Sequence, residues 1–122
     1  MIRGVHTMFY TSDAEGMRAF IRDKLGFRAT DVGDGWLIFE APEADMGCHP
    51  ADPSGAHGAA AGTHAISFYC DDIETTVSEL KEKGVEFTAE IEDHGFGFVT
   101  FFRMPGGVTV QLYQPKYEKN FD

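Results

Sequence analysis

Cysteine and basic residues are scarce in this sequence, and each shortage excludes a class of protein. The two cysteines, Cys48 and Cys70, fit no paired metal-binding spacing, and a domain of 122 residues does not need a disulfide to fold. The chain has 10 Lys and Arg against 20 Asp and Glu, which gives a net charge of −10. No basic surface is therefore expected for nucleic acid or for an anionic membrane.

Long apolar segments are also missing. No run approaches the roughly 20 apolar residues that a membrane span requires. Residues 1–6 lack the apolar stretch of a signal peptide. With 43% hydrophobic residues in 122, we expect one globular, cytoplasmic domain with a core of its own.

The most informative feature that is present is an internal repeat. Gly4-Val5-His6 returns as Gly62-Thr63-His64, and the same offset of 58 pairs Asp13 with Asp71 and Gly26 with Gly84. The second copy then has four extra residues, and an offset of 62 aligns 35–39 with 97–101 and His49 with Gln111. Folds built from equal modules place equivalent residues around a local two-fold axis, so paired residues are expected to meet.

Each copy has the pattern of a β-α-β-β-β module. Ser12-x-x-Glu15 has the form of a capping box, Asp71 or Asp72 is expected to cap the second helix, and Gly26 and Gly84 end the two helices. The predicted strands cover 5–10, 28–32, 36–40 and 45–49 in the first copy, and 65–70, 86–91, 98–103 and 108–113 in the second. We predict an α+β fold of two tandem modules, 1–49 and 63–115, that form a cupped mixed sheet. An Ala/Gly/Pro-rich linker, 50–62, joins the modules, and a charged tail, 116–122, follows them.

Four polar side chains fall at repeat-equivalent positions and are all able to ligate a metal. His6 and His64 lie on the first strands, and His49 and Gln111 lie on the last strands. Because Val110 and Leu112 alternate with Gln111, we expect the aliphatic face to pack under the helix and Gln111 to face the cup. An isolated strand histidine is more often a hydrogen-bonded core residue, and a one-residue slip would place Cys48 or Gly47 opposite Gln111.

Aromatic residues supply the predicted wall of a small-molecule site. Strand parity places Trp36, Phe98 and Phe102 on one face. Tyr10, Phe68 and Tyr113 lie near the candidate metal ligands in the sequence. A cup with many aromatic and few charged residues suits a flat or hydrophobic ligand.

The paired modules resemble the vicinal oxygen chelate superfamily, which includes glyoxalase I, bleomycin-resistance proteins, fosfomycin-resistance enzymes and extradiol dioxygenases. The resemblance rests on 4–6, Asp13 and 25–27 in the first copy, and on His64, 71–74, 83–85 and 105–112 in the second. It implies one divalent ion, held by a first-strand His or Gln and a last-strand Glu of each module. Here Gln111 and His49 stand where glutamates are usual.

That departure limits the chemistry that the resemblance implies. Three histidines and a glutamine would still hold a divalent Zn, Ni, Mn or Fe ion, although binding without a carboxylate is weaker. Oxygen chemistry at Fe(II) commonly uses two histidines and a carboxylate, and a glyoxalase-type isomerisation needs a base that Gln cannot provide.

Two functions follow as hypotheses. The first is a metal-dependent enzyme that acts on a small oxygen-bearing substrate through His6, His49, His64 and Gln111. The second is a metal-free binding protein, like the bleomycin-resistance proteins, that holds an aromatic and often cationic ligand. A homodimer is expected for either, because each module exposes sheet edges that a second copy covers.

Overall fold

The computed structural model describes residues 1, 3, 6–52, 54 and 59–118. The fold is α+β, as predicted. In chain order its elements are helix α1 (Ala14–Phe20), a π-helical turn (Ile21–Leu25), strands β1 (Ala29–Asp31), β2 (Leu37–Phe39) and β3 (Ser67–Tyr69), helix α2 (Ile73–Glu82), and strands β4 (Glu92–Asp93), β5 (Gly97–Met104) and β6 (Val108–Pro115). Neither helix of the described ranges has the length and apolar content needed to cross a membrane.

The second half of the chain forms a four-stranded sheet in the order β3-β6-β5-β4. Strands β5 and β6 form an antiparallel hairpin, and β3 runs parallel to β6 along its other edge. Strand β6 lies between β3 and β5, and the connection from β3 to its parallel neighbour β6 runs through α2, β4 and β5. The two helices cover one face of this sheet, as the core residues show, and the other face is named here the helix-free face.

Both helices pack on the same face of this sheet. The core joins Met17, Phe20 and Ile21 of the first helical segment to Ile73 and Val77 of α2 and to Val85, Phe102, Met104, Val110 and Leu112. These helical residues are the stripes that the 3.6-residue periodicity predicts. At the centre lies Phe102, which is 1% exposed and contacts the rings of Phe20, Phe68 and Phe87.

The helix ends follow the predicted signals with one correction. Asp72 caps α2, and Gly26 and Gly84 follow the helical segments with φ of 76° and 86°. The cap of α1 is Asp13, which accepts a hydrogen bond from Gly16 N at 2.9 Å, and Ser12 is not the cap. An Asp carboxylate also carries the charge that a helix N-terminus favours.

We expect Asp72→Ala to lower the free energy of unfolding by about 0.5 to 2 kcal/mol, the usual cost of a lost N-cap. The Asp72 carboxylate accepts from Thr75 N at 3.2 Å and from Thr75 Oγ1 at 3.0 Å. Urea unfolding measures the change. Asp71→Ala removes the same charge next to the cap, so an equal loss in both variants would attribute the effect to charge alone.

The first half of the chain departs from the predicted module. Residues 29–31 and 37–39 pair as a hairpin, with Thr30 opposite Ile38. The predictions of strands at 45–49 and 5–10 are wrong for the described residues, which are irregular there, and Val5 lies outside those residues. A strand requires a hydrogen-bonding neighbour, and residues 41–50 are exposed along their whole length.

The second half departs from the predicted module at one strand. The predicted strand 86–91 is reduced to a single bridge between Phe87 and Phe102, and the pairing with β5 begins at β4. The module boundaries and the linker stay predictions.

Candidate functional site

The register of β5 and β6 assigns each side chain to a face of the sheet. Phe102 pairs with Val110 and Thr100 with Leu112, and these residues face the helices. Phe101 pairs with Gln111 and Val99 with Tyr113, which places them on the helix-free face. The prediction that Val110 and Leu112 pack under the helix while Gln111 faces away from it is confirmed.

Three of the predicted ligand-contacting aromatics lie on the opposite side. Phe102 is in the core, Phe68 pairs with Leu112 and stacks on Phe102, and Phe98 is packed against the same core. Parity failed here because β5 is apolar on both faces, so alternation alone does not tell which face is covered. The helix-free position on β3 belongs to Tyr69, which pairs with Tyr113. Sequence reasoning missed Tyr69, although its alignment with Tyr113 in a parallel pair is the signal that identifies it.

An aromatic cluster lies on the helix-free face. The rings of Tyr69 and Tyr113 are 6.0 Å apart, and Phe96 meets Tyr113 edge to face at 5.6 Å. The Tyr113 and Tyr117 hydroxyls form a hydrogen bond of 2.8 Å, and Tyr69 Oη donates to Glu43 Oε2 at 2.6 Å. Gln111 stands two residues before Tyr113 on the same face and is half-buried. The cluster thus combines flat apolar surfaces with hydroxyl, carboxylate and carboxamide groups.

The tyrosines of this cluster remain protonated at neutral pH. The hydrogen bond to the Glu43 carboxylate raises the pKa of Tyr69 to about 12. Burial, followed by the hydrogen bond with Tyr117, raises the pKa of Tyr113. Both phenols therefore act as neutral hydrogen-bonding groups, and neither supplies a base at physiological pH.

The predicted metal donors are not gathered within one chain. His6 and His64 are exposed, and the exposed His49 donates from Nδ1 to the Pro50 carbonyl at 2.8 Å. Across the described ranges, which include all three histidines, no three His, Cys, Asp or Glu side chains lie close enough to hold one ion. Coordination by His6, His49, His64 and Gln111 stays a prediction, and within a single chain the donor set does not fit one ion.

A second feature is an apolar groove of about 290 Å³ in the first half of the chain. Its walls are residues 6–11 and Trp36–Phe39, and its floor is formed by α1 and Ile21. The groove brings together three predicted site residues, His6, Tyr10 and Trp36, and the Arg18 guanidinium lies 4.6 Å from the centre of the Trp36 ring. Gln111 and Tyr113 do not line it.

Comparison with known proteins agrees with the fold. The model of the Glyoxalase/Bleomycin resistance protein/Dioxygenase superfamily matches residues 3–112. No curated protein sequence matches the chain significantly.

Solved structures of similar fold include proteins of different roles. A lactoylglutathione lyase from Agrobacterium tumefaciens is 18% identical, with a TM-score of 0.60 over 88% of this chain and 89% of that chain. TnmS3, an antibiotic binding protein from Streptomyces sp. CB03234, is 20% identical, with a TM-score of 0.62 over 95% of this chain and 100% of that chain. A glyoxalase family protein from Enterococcus faecalis is 24% identical, with a TM-score of 0.55 over 81% of this chain and 86% of that chain.

Proposed function

Since the chain belongs to the Glyoxalase/Bleomycin resistance protein/Dioxygenase superfamily, we propose that it binds a flat aromatic small molecule on the helix-free face of its sheet, without a metal ion. The observation that carries the proposal is the aromatic cluster of Tyr69, Tyr113 and Phe96 beside the Gln111 carboxamide. Aromatic surfaces with a few fixed polar groups are the usual composition of a small-molecule site.

The polar groups of the cluster favour a particular kind of ligand. Tyr69, which is half-buried, presents a ring on which a flat molecule stacks, and the buried Tyr113 ring supports it from beneath. Gln111 offers both a donor and an acceptor to the edge of the ligand. Glu43, held at this face by the Tyr69 hydroxyl, is an exposed carboxylate. A positive charge on the ligand would be attracted by Glu43 and by the net charge of −10. The proposed ligand class is therefore a flat aromatic cation.

The fold is compatible with such a role. TnmS3, whose fold resembles this one with a TM-score of 0.62, is an antibiotic binding protein. A binder of this kind sequesters its ligand and leaves it chemically unchanged, which requires no general base. That requirement agrees with the high pKa of Tyr69, about 12, and with Gln111 in place of a carboxylate.

Isothermal titration calorimetry with a planar aromatic cation and its neutral isostere tests the proposal. We expect the cation to bind more tightly, and Tyr69→Ala to weaken its binding by at least about tenfold, which corresponds to roughly 1.4 kcal/mol. Glu43→Gln should reduce the preference for the cation over its neutral isostere. Tyr69→Phe keeps the ring but no longer holds Glu43, so it should bind more tightly than Tyr69→Ala and show a reduced preference for the cation, as Glu43→Gln does.

Val32→Ala is the matched control, because Val32 is 62% exposed on the hairpin of the first half, outside the aromatic cluster. It should bind as the wild type does. Equal weakening by Val32→Ala and Tyr69→Ala, or an affinity that none of the cluster variants changes, would contradict a site on the helix-free face.

A metal-dependent activity is the second candidate, and the repeat-equivalent positions of His6 and His64 favour it. The donors would then have to come from two chains, because one chain does not gather them. Metal analysis of protein purified without chelator discriminates between the candidates. Stoichiometric metal that His64→Ala removes would establish the second candidate, whereas stabilisation by the aromatic cation in metal-free protein supports the first.

A further inference from the structure

The apolar groove of the first half is narrow and runs along a helix. Its floor follows one face of α1 and of the helical turn after it, where Ala14, Met17 and Ile21 span about two turns, or roughly 10 Å. Both walls are consecutive segments, residues 6–11 and Trp36–Phe39. The volume of about 290 Å³ lies at the lower end of the range for small-molecule sites. This outline suits a small, extended ligand.

Large apolar side chains on the walls of the groove are in contact with solvent. Met8 is 46% exposed, Trp36 is 49% exposed and Tyr10 is 89% exposed. Contiguous exposed apolar surface commonly marks a binding groove, because a ligand that covers it removes that surface from water. We therefore expect the greater part of the ligand to be apolar.

The permanent charge on the groove is positive. Arg18 lines the groove, and no Asp or Glu of the described residues does. The Arg18 guanidinium lies 4.6 Å from the centre of the Trp36 ring, which holds it beside the apolar wall. The chain as a whole has a net charge of −10, but exposed charges are screened over about 8 Å at physiological ionic strength. Arg18 therefore dominates the electrostatic preference inside the groove.

Arg18 is also in a state to receive an anionic group. Arg22, Arg28 and Arg103 each form an ion pair with a carboxylate. Arg18 is half-buried and pairs with no carboxylate among the residues that the structure describes. A guanidinium that stacks on a ring keeps its in-plane N–H donors, and these match the two oxygens of a carboxylate.

From these observations we propose that the groove is a binding site for a small amphipathic carboxylate. The carboxylate of the ligand pairs with Arg18, and its alkyl chain lies along α1 between the walls that carry Met8 and Trp36. The site shares no residue with the aromatic cluster of the helix-free face, and it takes a ligand of the opposite charge. It is thus a second site, whose existence does not depend on the function proposed for the first.

Isothermal titration calorimetry of the full chain with octanoate and with octan-1-ol, at physiological ionic strength, tests the proposal. We expect octanoate to bind more tightly than the alcohol, and its affinity to exceed that of hexanoate by about fourfold for each added methylene. Trp36 is the only tryptophan of the sequence. Its fluorescence should change in proportion to the bound fraction, which places the ligand in the groove.

Arg18→Gln keeps a hydrogen-bonding side chain and removes the charge. It should weaken octanoate binding by at least about tenfold and leave octan-1-ol binding nearly unchanged. Arg22→Gln is the matched control, because it removes the same charge one helical turn later from a residue that does not line the groove, and it should bind octanoate as the wild type does. Ala14→Phe keeps the test independent of the folding of Arg18→Gln. Ala14 is exposed, and the larger side chain should occupy part of the groove and weaken both ligands.

Failure of the wild type to bind octanoate would overturn the proposal, and this is the result expected if a second copy of the chain covers the groove instead. Equal affinities for octanoate and octan-1-ol, or equal weakening of octanoate by Arg18→Gln and Arg22→Gln, would remove the role of Arg18. Octanoate binding that leaves the Trp36 fluorescence unchanged, or that Ala14→Phe does not weaken, would place the ligand outside the groove.

Discussion

Replacing Phe102 by alanine is expected to lower the free energy of unfolding by about 3 to 5 kcal/mol, the range for a large aromatic removed from a core. The side chain is 1% exposed and contacts Phe20 of α1, Phe68 of β3 and Phe87. Its removal leaves a cavity where both helical segments meet the sheet, and the rings around it lose their contacts together. Such a loss is a large part of the roughly 5 to 15 kcal/mol that stabilises a typical domain.

Urea unfolding at one fixed protein concentration measures this change, since dimer formation would make the midpoint depend on concentration. Phe102→Leu fills most of the volume and should cost less than Phe102→Ala. Val32→Ala, at an exposed position, should change the stability by less than about 0.5 kcal/mol. If Phe102→Ala were as mild as Val32→Ala, Phe102 would not lie in the core, and its predicted role as a ligand contact would be open again.

The sequence predicts the fold best where local signals agree with long-range pairing. Helix α2 has its cap at Asp72, its apolar stripe at Ile73 and Val77, and its end at Gly84, and all of these are read from residues close in sequence. Strands β5 and β6 are joined by a turn with two glycines, so residues close in sequence favour the hairpin. Both were predicted with only small shifts of their ends.

Prediction fails where a strand depends on a partner that the segment itself does not supply. Residues 45–49 have the alternation of a strand, yet their turn lacks glycine and they remain exposed. A pattern of alternating residues shows that a segment can pair, and it does not show with which edge or with which copy.

The faces of the strands were predicted only in part, because alternation identifies a face only where the neighbouring residues differ in polarity. Gln111 is flanked by the aliphatic Val110 and Leu112, so Gln111 and Tyr113 were correctly predicted to face away from the helices. Phe98 and Phe102 carry no such marker, since neighbouring Val99 and Phe101 are apolar too. Tyr69 was found only through its register with Tyr113, a contact between residues 44 positions apart.

A second large loss of stability is expected at Gly106, where the two halves of the chain are in contact. The turn that contains Gly106 lies against residues 11–13. Ser12 N donates to the Gly106 carbonyl at 3.2 Å, and Thr11 Oγ1 donates to the Pro105 carbonyl at 2.7 Å. A Cβ on Gly106 would overlap Thr11 Oγ1 and would approach the backbone nitrogens of Ser12 and Asp13 to 2.8 and 2.7 Å. The start of α1 is thereby positioned by a turn of the other half.

Gly106→Ala should therefore destabilise the protein by about 2 to 5 kcal/mol, because a left-handed backbone angle and a steric overlap act together. Gly107→Ala separates the two causes. Gly107 has a similar φ of 81°, yet no atom lies within 4 Å of the position of its Cβ, so only the backbone strain of about 1 to 2 kcal/mol applies. Urea unfolding of both variants at the same concentration gives the difference, which is the cost of separating residues 11–13 from the turn. Equal destabilisation by the two alanines would mean that this contact does not hold the halves together in solution.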